Sequence, residues 1–380
     1  MSTRHPKAYV PPPEYDDVAL THYGERPVRD RGRGLLFSKF GRKPWGRRVW
    51  IGLAACGLLL IIIIIAAVVG TRHKNRYPNY SGLKYKLAET YQGEGFFDKF
   101  NYFTGYDPSQ GFVHYVPAAQ AREMNLTFAS PSAAVLRVDT SVGPWSVPDA
   151  STGRFSVRVE SKSTYDRGLF IFDVRHAPLG CGAWPALWLT DASRWPHHGE
   201  IDVMEATNHA AGGNLVTLHT GPGCSMAGVR RKQSDVALQA DCDAAVNDNT
   251  GCGVRSGPDS FGGGFNAAGG AVLALEWRDA GIRLWQFARG AEPPDLAGQA
   301  PDPSSWGIAA ADFPSTDCDI SSHFRNNSIV LNIDLCGPLV YGTWAESTCP
   351  SNCTDIVANQ PEAFADAFWE VGSFRVFQAA

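Results

Sequence analysis

The chain has 380 residues and a formal net charge of −4. Residues 1–48 carry 11 Lys and Arg against 5 Asp and Glu, whereas the remainder carries 23 against 33. This division indicates two environments, and the acidic majority argues against a nucleic acid as the partner.

The first 48 residues are rich in Pro, Gly and charge and show little apolar periodicity. We therefore predict that residues 1–48 are a disordered cytoplasmic tail. Pro12, Pro13 and Tyr15 form a short polyproline stretch of the kind that docks in WW domains, because its extended helix exists before binding. The tail thus predicts a WW-domain ubiquitin ligase as a partner, and an inert linker is the alternative.

A run of 21 uncharged residues, 49–69, comes next. At about 1.5 Å per residue it crosses a hydrocarbon core about 30 Å thick, so it predicts a transmembrane helix with the lipid bilayer as partner. The long polar segment before it favours a retained signal anchor over a cleaved signal peptide. Because basic residues are more numerous upstream, we predict a single-pass type II membrane protein with a cytoplasmic N-terminus. Residues 70–84 then form a stalk, and 85–380 form one folded domain that is extracellular or lumenal.

Eight of the nine cysteines lie beyond this run. An even number favours disulfide bonds in an oxidising compartment, and zinc is the weaker interpretation because no pair has CxxC spacing. The sequence leaves the pairing open. Sequons on the same side predict a glycoprotein, and they begin at Asn79, Asn125, Asn326 and Asn352.

From about Tyr85 onward, aromatic and β-branched residues alternate with polar residues in short runs separated by Gly-rich turns. This pattern predicts one large all-β sandwich. Residues 278–281 predict a four-residue hairpin loop, and 361–369, which begins with Pro, is the only segment that predicts a helix. The clearest predicted strands are 155–160, 270–277, 282–288, 328–334 and 372–378.

Three acids, Glu200, Asp202 and Glu205, lie close together in the chain. On a regular strand Glu200 and Asp202 share a face, whereas Glu205 points to the opposite one. A β-bulge near residues 203–204 would return Glu205 to the face of the other two, with Ile201 and one bulge residue in the core.

Such a trio suits glycoside hydrolysis with retention of configuration. One carboxylate attacks the anomeric carbon, and a second protonates the leaving oxygen and later activates water. Crowding of acids raises at least one pKa, which keeps that group protonated for its role as an acid. An acidic, solvated strand is the alternative.

Five tryptophans favour a sugar-binding site, because indole faces stack on pyranose rings. Three of them precede the acids and two lie in later predicted strands, and we expect at least two of the five to face the cleft. They are Trp184, Trp188, Trp195, Trp277 and Trp285.

The segments around these residues resemble one known family. Residues 180–188 (GCGAWPALW), 195–205 (WPHHGEIDVME) and 218–224 (LHTGPGC) are similar to glycoside hydrolase family 16, the fungal laminarinase-like endo-1,3(4)-β-glucanases. The resemblance extends over about 85–378. It makes 85–380 a family 16 catalytic domain and implies a β-jelly-roll with a concave substrate cleft.

The resemblance also implies roles for individual residues. Glu200 would be the nucleophile, Asp202 its assistant and Glu205 the acid/base. No catalytic metal is implied, although some members bind a structural calcium whose ligands this sequence does not identify. Position 114 is a departure, because many members have Asn there. The implied substrate-binding residues are Trp188, Trp195, His219, Arg158, Trp184 and His114.

These observations together predict a retaining endo-β-glucanase acting on β-1,3- or mixed β-1,3/1,4-glucan. A cell-wall glucan transglycosylase would use the same residues and differ only in its acceptor. A non-catalytic β-glucan-binding protein is less favoured, because all three acids are present.

Overall fold

The computed structural model describes residues 46–74, 76–143 and 153–380. The motif at Pro12, Pro13 and Tyr15 lies outside these ranges. The chain divides into two compact units between Ile61 and Ile62, within its first helix.

That helix, α1 (Arg47–Lys74), contains the predicted transmembrane run. Over Arg47–Arg72 it is 26 residues long and apolar enough to cross a membrane by length and composition. Signal sequences and buried core helices share these properties, but none of its apolar window is buried. α1 is therefore a candidate membrane span. The type II orientation stays a prediction.

The other described helices are short, and the strands are numerous. The helices are α2 (Ala118–Glu123), α3 (Gly262–Ala267), α4 (Ile320–His323), α5 (Gly337–Thr343) and α6 (Cys353–Asn359). The strands are β1 (Tyr85–Gln92), β2 (Phe100–Tyr102), β3 (Gly105–Tyr106), β4 (Val113–Tyr115), β5 (Thr127–Ala129), β6 (Ala134–Arg137), β7 (Arg154–Ser156), β8 (Arg158–Tyr165), β9 (Gly168–His176), β10 (Ala183–Thr190), β11 (Glu200–Glu205), β12 (Leu215–His219), β13 (Val236–Ala237), β14 (Cys252–Arg255), β15 (Ala271–Arg278), β16 (Gly281–Ala288), β17 (Ala311–Pro314), β18 (Asn327–Leu335) and β19 (Phe368–Ala379).

Two large antiparallel sheets form the sandwich. Sheet I has the order β17-β16-β15-β9-β19-β6-β5, and β1 pairs with β19 beside it. Sheet II has the order β13-β14-β12-β11-β10-β18-β8-β2, and a small third sheet has the order β3-β4-β7. Neighbours are mostly not consecutive in the chain, which is typical of a jelly-roll. The predicted all-β fold is confirmed.

The main core contains side chains from both sheets. Phe170, Leu273 and Phe374 of sheet I belong to the same buried cluster as Leu187 and Leu331 of sheet II. Alternation along each strand sends every second side chain inward, so the opposite face of sheet II is available for a site. A second, smaller cluster covers the outer face of sheet I and includes Trp285, Trp306 and Phe377.

Two local predictions were wrong. Arg278 pairs with Gly281, so the hairpin has a two-residue turn instead of a four-residue loop. The predicted helix over 361–369 is a single 3-10 turn, Pro361–Phe364, and the chain enters β19 at Phe368. The aromatic residues at its end pack in the sheet, and tertiary packing overrides the weak helical signal of an initial Pro. Further helices that no prediction covered lie in the connections.

The predicted disulfide-bonded domain is confirmed, and the pairing left open by the sequence is now defined. The four disulfides link Cys181 to Cys349, Cys224 to Cys318, Cys242 to Cys252, and Cys336 to Cys353. Two of them, Cys224–Cys318 and Cys242–Cys252, hold the long connection between β12 and β14, and the other two hold the connection between β18 and β19.

Residues 76–84, predicted as part of the stalk, are packed against the β16–β17 end of sheet I. The Tyr77 hydroxyl donates to Asp312 over 3.0 Å, and the Arg283 guanidinium lies 4.0 Å from the ring centre of Tyr80. Thr316 Oγ1 donates to the carbonyl of Arg76 over 2.8 Å. This segment is therefore fixed on the sandwich, while the predicted domain boundaries themselves stay a prediction.

Candidate active site

The three acids of the motif lie on β11, a central strand of sheet II between β12 and β10. In its register with β10, Trp188 is opposite Asp202 and Leu187 is opposite Met204, so Val203 is an extra residue. The register with β12 is interrupted at the same place. The β-bulge predicted from the spacing is therefore confirmed. The expectation that only one bulge residue would be in the core was wrong: Val203 and Met204 are both fully buried, because a bulge turns two successive side chains inward.

A buried asparagine holds the bulge. The backbone N–H of Glu205 donates to Asn214 Oδ1 over 3.0 Å, and Asn214 Nδ2 donates to the Val203 carbonyl over 2.9 Å. A bulge removes such groups from the strand ladder, and a single side-chain amide satisfies both here. The backbone N–H of Asn214 in turn donates to Ser260 Oγ over 2.7 Å.

Two indoles contact the outer acids. Trp184 Nε1 donates to Glu205 Oε1 over 2.8 Å, and the indole of Trp195 lies near Glu200 and lowers the pKa of that carboxyl. Burial, followed by the charge of Asp202, raises the pKa of both glutamates above the ordinary value. Both can therefore hold a proton at neutral pH, and electrostatics alone does not distinguish a nucleophile from an acid.

A histidine completes the cluster from β12. His219 Nε2 lies 3.3 Å from Asp202 Oδ2 and 4.0 Å from Glu200 Oε1. Burial lowers the pKa of His219, but the contact with Asp202 and the charges of the neighbouring carboxylates outweigh it and raise this pKa to about 9. His219 is thus a cation at neutral pH.

The orientation of this imidazole is set by a turn that no sequence motif predicted. His219 Nδ1–H donates to Asn249 Oδ1 over 2.9 Å. Asn249 ends a turn in which Asn247, Asp248 and Asn249 all have positive φ, at 54°, 54° and 61°. Asn and Asp tolerate this conformation better than most residues, so the Asn-Asp-Asn run was the available signal.

A layer of polar and aromatic side chains continues from Trp188 toward β8. Trp188 Nε1 donates to Asn332 Oδ1 over 2.8 Å, and the Arg158 guanidinium lies 4.9 Å from the indole centre. Arg158 is itself buried and paired with Glu160 at 2.8 Å. The Arg158 guanidinium therefore packs over the indole of Trp188. The predicted contact of Arg158 with a sugar stays a prediction.

The remaining predicted residues lie apart from the acids. His114 stacks on the exposed Tyr106, with ring centres 5.2 Å apart. Trp277 packs in the main core and Trp285 in the cluster on the outer face of sheet I. Of the five tryptophans, Trp184, Trp188 and Trp195 are the ones on the side of the acids.

Two groups of described side chains could in principle hold a metal ion. One consists of Cys181, His209 and Cys349, but both cysteines are in a disulfide and offer no thiolate. The other is Glu200, Asp202 and His219, with ligand atoms within 4.8 Å of one another. Calcium takes about six to eight oxygen ligands, so neither group fits the structural calcium that the resemblance left open.

The family model for the XgeA-like catalytic domain of glycoside hydrolase family 16 matches residues 100–377. The chain belongs to glycoside hydrolase family 16. The predicted family is confirmed, and the chain is a glycoside hydrolase by membership.

Curated relatives of this family 16 chain include a probable glycosidase of Schizosaccharomyces pombe, 39% identical over 81% of this chain and 73% of the relative. An endo-1,3(4)-β-glucanase of Arthroderma benhamiae is 37% identical over 77% of this chain and 65% of its own length. A probable endo-1,3(4)-β-glucanase of Aspergillus fumigatus is 35% identical, but this chain spans only 45% of it.

Solved structures give the same family. Laminarinase 16A from Phanerochaete chrysosporium, with β-glucans in its donor and acceptor sites, is 39% identical with a TM-score of 0.73, covering 78% of this chain and 100% of that one. An elongating family 16 β-1,3-glucosyltransferase is 34% identical with a TM-score of 0.71, covering 77% of this chain and 100% of that one.

Proposed function

We propose that the family 16 domain is a retaining endo-β-glucanase that hydrolyses β-1,3- or mixed β-1,3/1,4-glucan by double displacement. The observation that carries this proposal is the bulge at Val203, which places Glu200, Asp202 and Glu205 beside one another with tryptophans at both outer acids. The endo-1,3(4)-β-glucanases and the laminarinase among its relatives support the choice of substrate.

In the first step Glu200, as carboxylate, attacks the anomeric carbon while the bond to the leaving oxygen breaks. Glu205 gives its proton to that oxygen, so the leaving sugar departs as a neutral alcohol and a glycosyl ester forms on Glu200. The raised pKa of Glu205 keeps this proton available, and Trp184 fixes the orientation of the carboxyl group.

In the second step Glu205, now ionised, takes a proton from water, and the resulting hydroxide attacks the anomeric carbon. The ester bond breaks, Glu200 is released as carboxylate, and the configuration is retained after two inversions. Glu205 ends protonated, as it began.

Asp202 and His219 tune this exchange without forming a bond to the sugar. His219 Nε2 lies 3.3 Å from Asp202 Oδ2, and the charge of the imidazolium lowers the pKa of both glutamates. His219 therefore opposes the effects of burial and of the Asp202 charge, and it makes it easier for Glu200 to ionise before attack.

The assignment is tested by product analysis with laminarin, lichenan and cellulose, using the parent chain and Glu200→Gln. We expect internal cleavage of laminarin or lichenan, no cleavage of cellulose, and loss of turnover in the variant. Activity that survives in Glu200→Gln would contradict the role of Glu200, and binding without cleavage by the parent would indicate the non-catalytic alternative.

A second candidate, glucan transglycosylation, is favoured by one observation: the elongating glucosyltransferase among the similar structures. A sugar hydroxyl would then replace water in the second step at the same residues. Incubation with a single defined laminari-oligosaccharide distinguishes the two, because transfer yields products longer than the substrate.

We further propose that α1 anchors the domain in a membrane with the N-terminus cytoplasmic. The length of its apolar run, the sequons and the disulfides beyond it support this orientation. A loss of mass when the membrane-bound protein is treated with a glycosidase would show that the sequons lie on the lumenal side.

The predicted contact between the tail and a WW-domain ubiquitin ligase has its own test. A Tyr15→Ala tail that retains WW-domain binding would overturn this contact.

A further inference from the structure

A cavity opens beside sheet I, the sheet that does not carry the acids. Its volume is about 570 Å³ and it is lined by the end of β16, the turn around Ser260 and the segment containing Trp306 and Ile308. Volumes of about 300–1,000 Å³ are usual for small-molecule sites. We propose that this cavity binds glucosyl units of the same β-glucan outside the active site, an inference that rests on the proposed function.

The cavity exists because β16 extends past its neighbour. β17 pairs with β16 over residues 281–284, and no other strand in the described part of the chain pairs with Trp285–Ala288 on that side. The rings of Phe287 and Trp306 meet edge to face there, with centres 5.8 Å apart. Ile308 is 70% exposed at the rim.

The chemistry of the lining fits a neutral sugar. Apolar surface is provided by Phe287, Trp306 and Ile308, and hydroxyl and carboxylate groups by Ser234, Asp235 and Asp259. Among the described residues that line the cavity, none is Lys or Arg. Carboxylates without a cation disfavour an anionic ligand, whereas they accept hydrogen bonds from sugar hydroxyls, and aromatic rings pack against the C–H faces of pyranoses.

One polar atom in the lining has no partner among the described groups. Gln286 Nε2 donates to the carbonyl of Ser260 over 2.9 Å, but Gln286 Oε1 is buried without a hydrogen bond. An unsatisfied buried acceptor costs free energy, which a ligand hydroxyl donating to it would recover. Gln286 is itself among the residues that line the cavity.

The cavity is also connected to the support of the catalytic strand. The carbonyl of Ser260 accepts from Gln286, and the hydroxyl of Ser260 accepts from the backbone N–H of Asn214. Asn214 in turn holds the bulge at Glu205. Substitution of Gln286 or Ser260 would therefore disturb both sites. Phe287 and Ala288, which line the cavity but make no hydrogen bond to this chain of groups, are the better positions for a test.

Two sites on one polymer substrate increase the effective concentration of each for the other. Phe287→Ala removes apolar surface, and Ala288→Trp fills the cavity without removing a packed side chain. Phe128→Ala is the matched control, since Phe128 is an exposed phenylalanine on β5 of the same sheet, outside the cavity lining.

The experiment is calorimetric titration of laminarihexaose into the full chain in detergent micelles, in a Glu200→Gln background that prevents turnover. We expect two binding events for this background and for Phe128→Ala, and one event for Phe287→Ala and for Ala288→Trp. Binding to long insoluble β-1,3-glucan should weaken on the order of tenfold in both cavity variants.

Two events in both cavity variants, or a single event before either substitution, would overturn the inference. Cleavage of laminarin by the parent chain is measured separately. Parent cleavage with one binding event overturns the second site alone, whereas absence of cleavage of any β-glucan overturns the proposed function.

Discussion

Nε2 of His219 lies 3.3 Å from Oδ2 of Asp202, which sets a cation against the central acid of the trio. This pair explains how three acids occupy one buried strand segment. Without a positive charge beside them, burial and the charge of Asp202 would raise the pKa of Glu200 and Glu205 further.

Replacement of His219 by Gln tests this electrostatic role. The histidine charge lowers the pKa of Glu200 and Glu205, so its loss raises both. In the proposed mechanism Glu200 must be ionised to attack, so the acidic limb of the kcat/KM profile should move to higher pH, with a larger loss at pH 7 than at pH 9, on the two sides of the Glu200 pKa of about 8. A uniform loss at every pH would show that His219 acts only through substrate contact.

Asn249 is predicted to act through His219. In Asn249→Ala the Nδ1–H loses its acceptor, so the imidazole is less well oriented and the same acidic limb should move in the same direction by a smaller amount. Asn249→Asp keeps an acceptor and should restore the profile. If Asn249→Ala still lowers activity in the His219→Gln background as much as in the parent, the two residues act independently.

Asn214 is predicted to be required for both stability and placement of Glu205. Asn214→Ala leaves the Glu205 N–H and the Val203 carbonyl without partners, and each unsatisfied buried group costs about 1–3 kcal/mol. Thermal unfolding should show the loss of stability and kcat should fall with it. Asn214→Asp retains the acceptor for Glu205, so its kcat should fall less; equal kcat in the two variants would contradict this role.

The acids are predicted to lower stability at neutral pH. Since the pKa of each glutamate is raised in the folded state, the unfolded chain ionises first as pH rises, and stability is lost above the unfolded value of about 4.3. Glu200→Gln and Glu205→Gln remove this loss and should melt at higher temperature than the parent at pH 7.5. The difference in melting temperature should shrink at pH 4.5. Each tenfold change in proton affinity between the folded and unfolded states corresponds to about 1.4 kcal/mol in the free energy of unfolding. Equal melting temperatures at both pH values would contradict the raised pKa values.

The sequence predicted the features that depend on local spacing. Glu205 stands five residues after Glu200, and this interval alone required the bulge that the structure contains. The runs in β15, β16, β18 and β19 were recognised because their alternation has a period of two.

Other features depend on contacts between segments far apart in the chain. Asn249 hydrogen bonds to His219, 30 residues away in the chain, and Gln286 hydrogen bonds to Ser260, 26 residues away. No local sequence pattern therefore indicates these contacts. Trp277 and Trp285 could not be separated from the three site tryptophans by residue type, because the face of a strand is known only once its register is known. The exact hairpin turn and the end of the 3-10 turn at Phe364 were likewise decided by pairing within the sheet.

The most direct test of the account is to identify the residue that carries the glycosyl intermediate. A laminaribiosyl fluoride with fluorine at C2 slows the second step, so the intermediate accumulates and the labelled peptide can be sequenced by mass spectrometry. A retaining mechanism with Glu200 as the nucleophile predicts one sugar adduct per chain, on Glu200, with none in Glu200→Gln. An adduct on Asp202 or Glu205, or a first hydrolysis product of inverted configuration, would contradict it.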